Sequence, residues 1–145
     1  MDSELSLQRQ VCFALYAASR ATTGLYRTLL DELGLTYPQY LVLLVLWERG
    51  DTSVKDLGAA LMLDSGTLSP LLKRMESAGL VTRRRGTDDE RSVLVGLTAT
   101  GRDLRGRAAT VPATVAARTG LTPQQLSDLR DQLAALTRTL TGGTG

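Results

Sequence analysis

Apolar positions recur with a helical period over most of the chain and change to a strand-like period in one short region. From Leu5 to about Leu33, the residues Leu7, Val11, Leu15 and Ala18 fall on one face, predicting a long helix with Gly24 as a weak point and Gly34 as its stop. Thr36-Tyr-Pro-Gln39 then reads as a capping box: a hydroxyl for an orphan N–H, a Gln three residues on, and Pro in the first turn. It opens a strongly apolar helix expected to end near Glu48. Ser53-Val-Lys-Asp56 is a second cap, starting a short helix to about Leu61. A tight "MLDS" connection leads into a helix over Gly66–Ala78 with Leu68, Leu71, Leu72 and Met75 on one face. Two short helices joined by a tight turn match the helix-turn-helix pattern.

After Gly79 the period changes. Leu80–Arg85 and Ser92–Thr98 are short β-prone runs, with Val93, Val95 and Leu97 alternating in the second, and "GTDDER" between them predicts a hairpin loop. From Thr98 the pattern is helical again, with a kink expected at Pro112. Thr122-Pro-Gln-Gln125 is a third capping box, opening an amphipathic helix through Leu126, Leu129, Leu133, Leu136 and Leu140. The tail, 141–145, is expected to be disordered. No repeat or linker divides the chain, so one domain over 1–145 is expected. The expected fold is mainly α with a small β-hairpin (α+β): a winged helix-turn-helix core over about 36–98, flanked by long terminal helices over about 5–33 and 99–140. That small core cannot cover both long apolar stripes. A second copy could, which makes a homodimer the expected assembly.

Composition narrows the function. The 145 residues are 43% hydrophobic and 22% charged, ordinary for a soluble globular chain. The stretch MDSELSLQRQ is polar and partly acidic, unlike a signal peptide, and the longest apolar run, Tyr40–Trp47, is too short to cross a membrane. A single cysteine allows no intrachain disulfide or thiolate cluster, and the lack of histidine removes the commonest metal ligand and general base. No metal or cofactor is expected, most hydrolase and metalloenzyme readings end there, and a reducing cytoplasmic location is the default.

Charge is unevenly placed although the net is only +2. Lys73, Arg74, Arg83, Arg84, Arg85 and Arg91 crowd into one segment against only four acids. On the second helix of the helix-turn-helix, Ser65, Gly66, Thr67, Ser69, Lys73 and Arg74 fall opposite the core stripe. Small polar residues there allow close backbone approach to DNA, and the two cations can reach base edges or phosphates. Pro70 removes a helix hydrogen bond and has no role in this reading. The hairpin adds Arg83, Arg84 and Arg85, with Arg91 near its tip, where an arginine suits a minor groove. Asp88, Asp89 and Glu90 would repel phosphate if free and read better as internal partners of those arginines.

Asp89-Glu-Arg-Ser92 followed by "VLVGLT" resembles the wing signature of the MarR family of dimeric winged-helix regulators, and Leu63–Arg83 resembles its recognition helix and first wing strand. The resemblance implies that Asp89 braces the wing and Arg91 enters the minor groove of a pseudo-palindromic operator.

The lone Cys12 borders the apolar face of the first helix, where a plain core residue is the ordinary explanation. All six aromatic residues lie between Phe13 and Trp47, so tyrosine hydroxyls are the nearby donors able to hold a thiolate. A helix starting at Leu5 puts Cys12 about two turns in, too far for the first-turn dipole. Tyr26 is 14 residues further on, roughly 20 Å along a straight helix, so unless the helix folds back near Gly24 it could serve only the thiol of a partner subunit. Tyr37 could do likewise.

"CFALYAASR" from Cys12 and "YRTLLDELGLTYPQYLVLLVLWE" from Tyr26 resemble the organic hydroperoxide resistance regulator (OhrR) branch of that family. This implies a peroxide-sensing Cys12, hydrogen-bonded by the partner's Tyr26 and the partner's Tyr37 with Tyr16 nearby. It also implies a reduced dimer that represses a peroxide-resistance gene and an oxidised one that releases DNA. Members with a second, C-terminal cysteine form an intersubunit disulfide. This chain has none and resembles the one-cysteine subtype, so the oxidised sulfur is expected to be capped by a low-molecular-weight thiol or, under excess peroxide, to go on to irreversible acids. A MarR-type repressor answering to an apolar or phenolic ligand, a thiol peroxidase, and a purely structural nucleic-acid binder are the competing readings.

Overall fold

The computed structural model describes residues 3–86 and 92–142. The first helix, α1 (Val11–Asp31), starts later than its apolar pattern predicts, behind a 3-10 turn at Leu7–Arg9. Gln10 is extended there (φ −86°, ψ 111°), and its side-chain amide donates to the carbonyls of Glu4 and Ser6. None of Leu7–Arg9 is buried within the single chain. From Val11 the helix runs unbroken through Gly24. Gly34 follows its end at φ 68°.

The Thr36 capping box forms as expected: the Gln39 N–H donates to Thr36 Oγ1 at 3.3 Å, and the Thr36 N–H donates to Gln39 Oε1 at 3.1 Å. It starts α2 (Tyr37–Arg49), where Tyr40, Val42, Leu43 and Leu46 are at most 2% exposed. Ser53 caps α3 (Val54–Leu61) by accepting from the Asp56 N–H, and Met62 turns the chain in a left-handed conformation. Asp64 then caps α4 (Ser65–Ser77), whose Leu68, Leu71, Leu72 and Met75 are buried. The helix-turn-helix is therefore α3–α4. Pro70 sits inside α4 on its exposed side, where water can reach the Gly66 carbonyl its missing N–H cannot serve.

The hairpin strands are β2 (Val81–Arg85) and β3 (Val93–Leu97), with Arg84 opposite Leu94 and Thr82 opposite Gly96. A third strand missing from the sequence reading, β1 (Thr52–Ser53), pairs antiparallel with β3 and gives the order β1-β3-β2. Two residues carry no readable alternation, yet they matter, because an isolated hairpin is marginal in water. The fold is thus mainly helical with a small antiparallel sheet, a winged helix-turn-helix. Helix α2 packs on α1, α3, β3 and α4, and also on α5 (Ala99–Ala108).

Two compact units divide the chain, one through Ala109 and one from Thr110. The second holds α6 (Val111–Thr119) and α7 (Pro123–Leu140). The kink expected at Pro112 is a full break instead. Proline is costly inside a helix but suits the first turn of a new one, which is where α6 holds it. The Thr122 capping box forms in full, and no residue of α7 is buried. Thr141 and Gly142 form a turn, and 143–145 lie outside the described residues.

Gly101 in the first turn of α5 is a fixed point of this packing. A Cβ there would collide with the Leu80 carbonyl oxygen, and its own carbonyl accepts from Trp47 Nε1 at 2.9 Å. Gly→Ala in a helix ordinarily stabilises by up to about 1 kcal/mol, whereas overpacking costs about 1–3 kcal/mol. Gly101→Ala is therefore expected to destabilise in urea unfolding, while Gly106→Ala, with open space at the same helix, stabilises. Equal responses at the two sites would contradict this packing.

Candidate DNA interface and thiol site

Helix α4 presents Ser65, Gly66, Thr67, Ser69, Lys73 and Arg74 to solvent on the face opposite its buried leucines, as its pattern predicts. Its first turn is less open to phosphate than the sequence suggests, because Asp64 Oδ1 already accepts from the Thr67 N–H at 2.8 Å. That cap was legible as Asp three residues before Thr, but the sequence pattern places the helix start one residue later, at Gly66.

The hairpin arginines are not equivalent. Arg83 and Arg84 alternate across β2 and each meets an acid from another element. The Arg83 guanidinium donates to Glu76 Oε1 at 3.2 Å while its backbone N–H donates to Glu76 Oε2 at 3.2 Å, tying the wing strand to the last turn of α4. Arg84 pairs with Asp51 at 2.6 Å. Arg85 is exposed and makes no ion pair among the described residues. Asp51 and Glu76 went unread in the sequence, since they lie 33 and 7 residues from their partners. Asp88, Asp89, Glu90 and Arg91 lie outside the described residues.

Cys12 is exposed in the single chain. Because α1 begins at Val11, the thiol stands in the first helical turn rather than two turns in, at the end of the helix dipole that favours negative charge. This corrects the sequence expectation, and its cause is the Gln10 break. Tyr16, one turn on, is 61% exposed, with the Arg20 guanidinium 5.5 Å from its ring centroid. Phe13 and Val11 are exposed too.

The other tyrosines gather elsewhere. The Tyr26 and Tyr37 ring centroids are 4.5 Å apart, and Tyr40 lies 5.8 Å from Tyr26 and 6.4 Å from Trp47. Beside Tyr37 is a cleft of about 370 Å³, also lined by Arg27 and Asp31. The unbroken α1 separates Cys12 from Tyr26 by about 21 Å along its axis, so the thiol cannot meet this cluster within one chain. Burial, then the neighbouring phenols Tyr37 and Tyr40, raise the Tyr26 pKa; burial and Tyr37 raise that of Tyr40. Both phenols therefore keep their protons at neutral pH and remain hydrogen-bond donors.

A helix-turn-helix with an exposed polar face, braced against an arginine-bearing antiparallel hairpin, defines a winged-helix DNA-binding regulator. The profile of the family described as "Transcriptional regulator SarA/Rot" matches residues 24–106. The organic hydroperoxide resistance transcriptional regulator of Bacillus subtilis (strain 168) is 51% identical over 91% of this chain and 88% of its own length. Among solved structures, reduced AbfR bound to DNA, a Staphylococcus epidermidis protein, superposes with a TM-score of 0.77 at 34% identity, covering 92% of this chain and 93% of that one. AbsC, a MarR family transcriptional regulator from Streptomyces coelicolor, gives 0.82 at 27% identity, covering 97% and 99%. The chain belongs to the MarR family of winged-helix transcriptional regulators, on its organic hydroperoxide resistance regulator branch, with a single cysteine.

The raised phenols make stability depend on alkali. Well below pH 10 both folded and unfolded tyrosines are protonated and the shift has no effect; as pH rises through their ordinary value of 10.0 the unfolded chain ionises first and stability falls. Urea unfolding from about pH 9 to about pH 11.5 should show a steeper loss for wild type than for Tyr26→Phe. Parallel curves would mean that Tyr26 is not held protonated by its burial.

Proposed function

We propose that the protein is a homodimeric repressor that releases its operator when an organic hydroperoxide oxidises Cys12. The observation carrying this reading is an exposed thiol at a helix start, together with a cluster of tyrosines that its own chain keeps out of reach. In a dimer, the partner's Tyr26 and the partner's Tyr37 donate to the thiolate, with Tyr16 alongside. The thiolate attacks the peroxide O–O bond, giving Cys12–SOH after proton transfer and releasing an alcohol. A low-molecular-weight thiol then forms a mixed disulfide with Cys12 and releases water, since the chain has no second cysteine. The added bulk shifts the helices that set the separation of the two α4 heads, which must match half-sites one helical turn apart.

The two units act as one MarR-type domain over 1–145. The dimer is supported by unpartnered apolar side chains on both terminal elements. Leu7 and Val11 are 59% and 69% exposed, and Leu129, Leu133, Leu136 and Leu140 are exposed on α7. The DNA contacts assigned are Ser65, Gly66, Thr67, Ser69, Lys73 and Arg74 from α4, with Arg85 and Arg91 from the wing and Asp89 as brace. The protein acts by binding rather than catalysis, in the cytoplasm; no described helix is long and apolar enough to cross a membrane.

Binding to DNA from upstream of the protein's own gene, at fixed salt, tests the reading. Wild type should lose at least about tenfold in affinity after stoichiometric organic hydroperoxide and a small thiol, a change of about 1.4 kcal/mol. Cys12→Ser should bind as before under both conditions. Retention of DNA by oxidised wild type would remove the sensor role and turn attention to a ligand for the aromatic cluster. Separately, sedimentation should show a dimer for wild type and a shift toward monomer for Leu133→Glu. An unchanged dimer would exclude the α7 stripe from the interface.

A further inference from the structure

Asp51 occupies an unusually fixed position. It follows Gly50, the C-cap of α2, whose N–H donates to Leu46 O at 2.9 Å, and precedes Thr52, which is buried and paired with Val95. Thr52 Oγ1 donates back to Gly50 O at 2.8 Å, closing the connection. The backbone carrying Asp51 is thus held on both sides, and its carboxylate reaches over β3 to Arg84 on β2, 2.6 Å away. It passes above Gly96, where a Cβ would come within 2.6 Å of Oδ1 and 3.2 Å of Cγ. Glycine at 96 leaves the space that this side chain fills.

We propose that Asp51 is a positioning residue for DNA binding: with the room Gly96 gives it, it holds Arg84 to the end of α2 and fixes the wing. Arg84 then orients the hairpin and is not a phosphate contact. Arg85, next along the strand and without an acidic partner among the described residues, carries that contact instead. The arrangement divides two neighbouring arginines, alike in sequence, between bracing and binding. It also joins the wing directly to α2, the helix whose first residue, Tyr37, stands in the tyrosine cluster. The inference rests on the operator-binding reading above.

The test is the salt dependence of operator binding by the full-length reduced protein. Each phosphate contact contributes a slope of about −0.9 in log affinity against log salt. Arg85→Ala should flatten the slope by roughly 0.9 per wing, so about 1.8 for a dimer. Arg84→Ala should leave the slope unchanged while weakening binding roughly two- to five-fold per wing, the scale of one half-exposed ion pair. Asp51→Asn should weaken binding by the same factor with a slope that stays level or steepens, and the Asp51→Asn/Arg84→Ala double variant should be no weaker than either single one. Gly96→Ala, which displaces the carboxylate without removing it, should match Asp51→Asn. A slope flattened by Arg84→Ala as much as by Arg85→Ala, or additive losses in the double variant, would overturn the assignment. Failure of wild type to bind specifically would instead strike the operator-binding reading itself.

Discussion

Helix α2 carries apolar side chains on nearly every face, and the rest of the winged core is arranged to cover them. Tyr40, Val42, Leu43 and Leu46 are withdrawn from water, and neighbours arrive from α1, α3, α4, α5 and β3. Burying each such side chain is worth about 1.5–3 kcal/mol, so this one helix supplies much of the drive to assemble the core. A helix apolar all round can be stable only as a central element. Its two ends also carry the molecule's chemistry. Tyr37 at the start lies in the tyrosine cluster, while Trp47 near the finish bonds to Gly101 and Asp51 just beyond reaches Arg84.

The basic surface shows how little a charge count says about binding. Arginine side chains next to one another on β2 point to opposite faces because successive strand residues alternate. One is taken up by Glu76 from the recognition helix and another by Asp51 from the α2 connection. Such half-exposed pairs add little to stability. What they fix is geometry: the Glu76 carboxylate holds both the backbone and the guanidinium of Arg83, setting the wing strand against α4. A reader of DNA needs this, because a wing free to swing would meet the groove in many orientations.

The thiol and the tyrosines belong to different regions of the same chain, and the stiffness of α1 keeps them so. An uninterrupted helix of 21 residues cannot fold back on itself. In the proposed dimer, sensing becomes a property of the pair of subunits, since neither brings its own sulfur within reach of its own Tyr26 and Tyr37. The exposed leucines of α7 and the exposed apolar start of α1 point to the same assembly. The Tyr26 and Tyr40 phenols, which burial moves further from ionisation, are suited to donate rather than to repel a neighbouring anion.

The sequence by itself determined the helices and their starts wherever a local cap decides them. Thr36, Ser53 and Thr122 each bond an amide three residues on, an interaction contained in four consecutive residues. It also determined the buried stripe of α4, the polar face opposite, and the hairpin, because periodicity is local information. The family resemblance was legible for the same reason, in contiguous motifs. Tertiary structure decided what depends on distant residues. β1 exists because β3 is there to pair with it, and Pro112 stands in the first turn of a new helix rather than at a kink within one. The start of α1, and with it the place of Cys12 in the helix field, is set by the extended Gln10, which showed only in the folded chain. The partners of Arg83 and Arg84 lie at sequence distances that hide them, so these two ion pairs emerged only when the chain closed on itself.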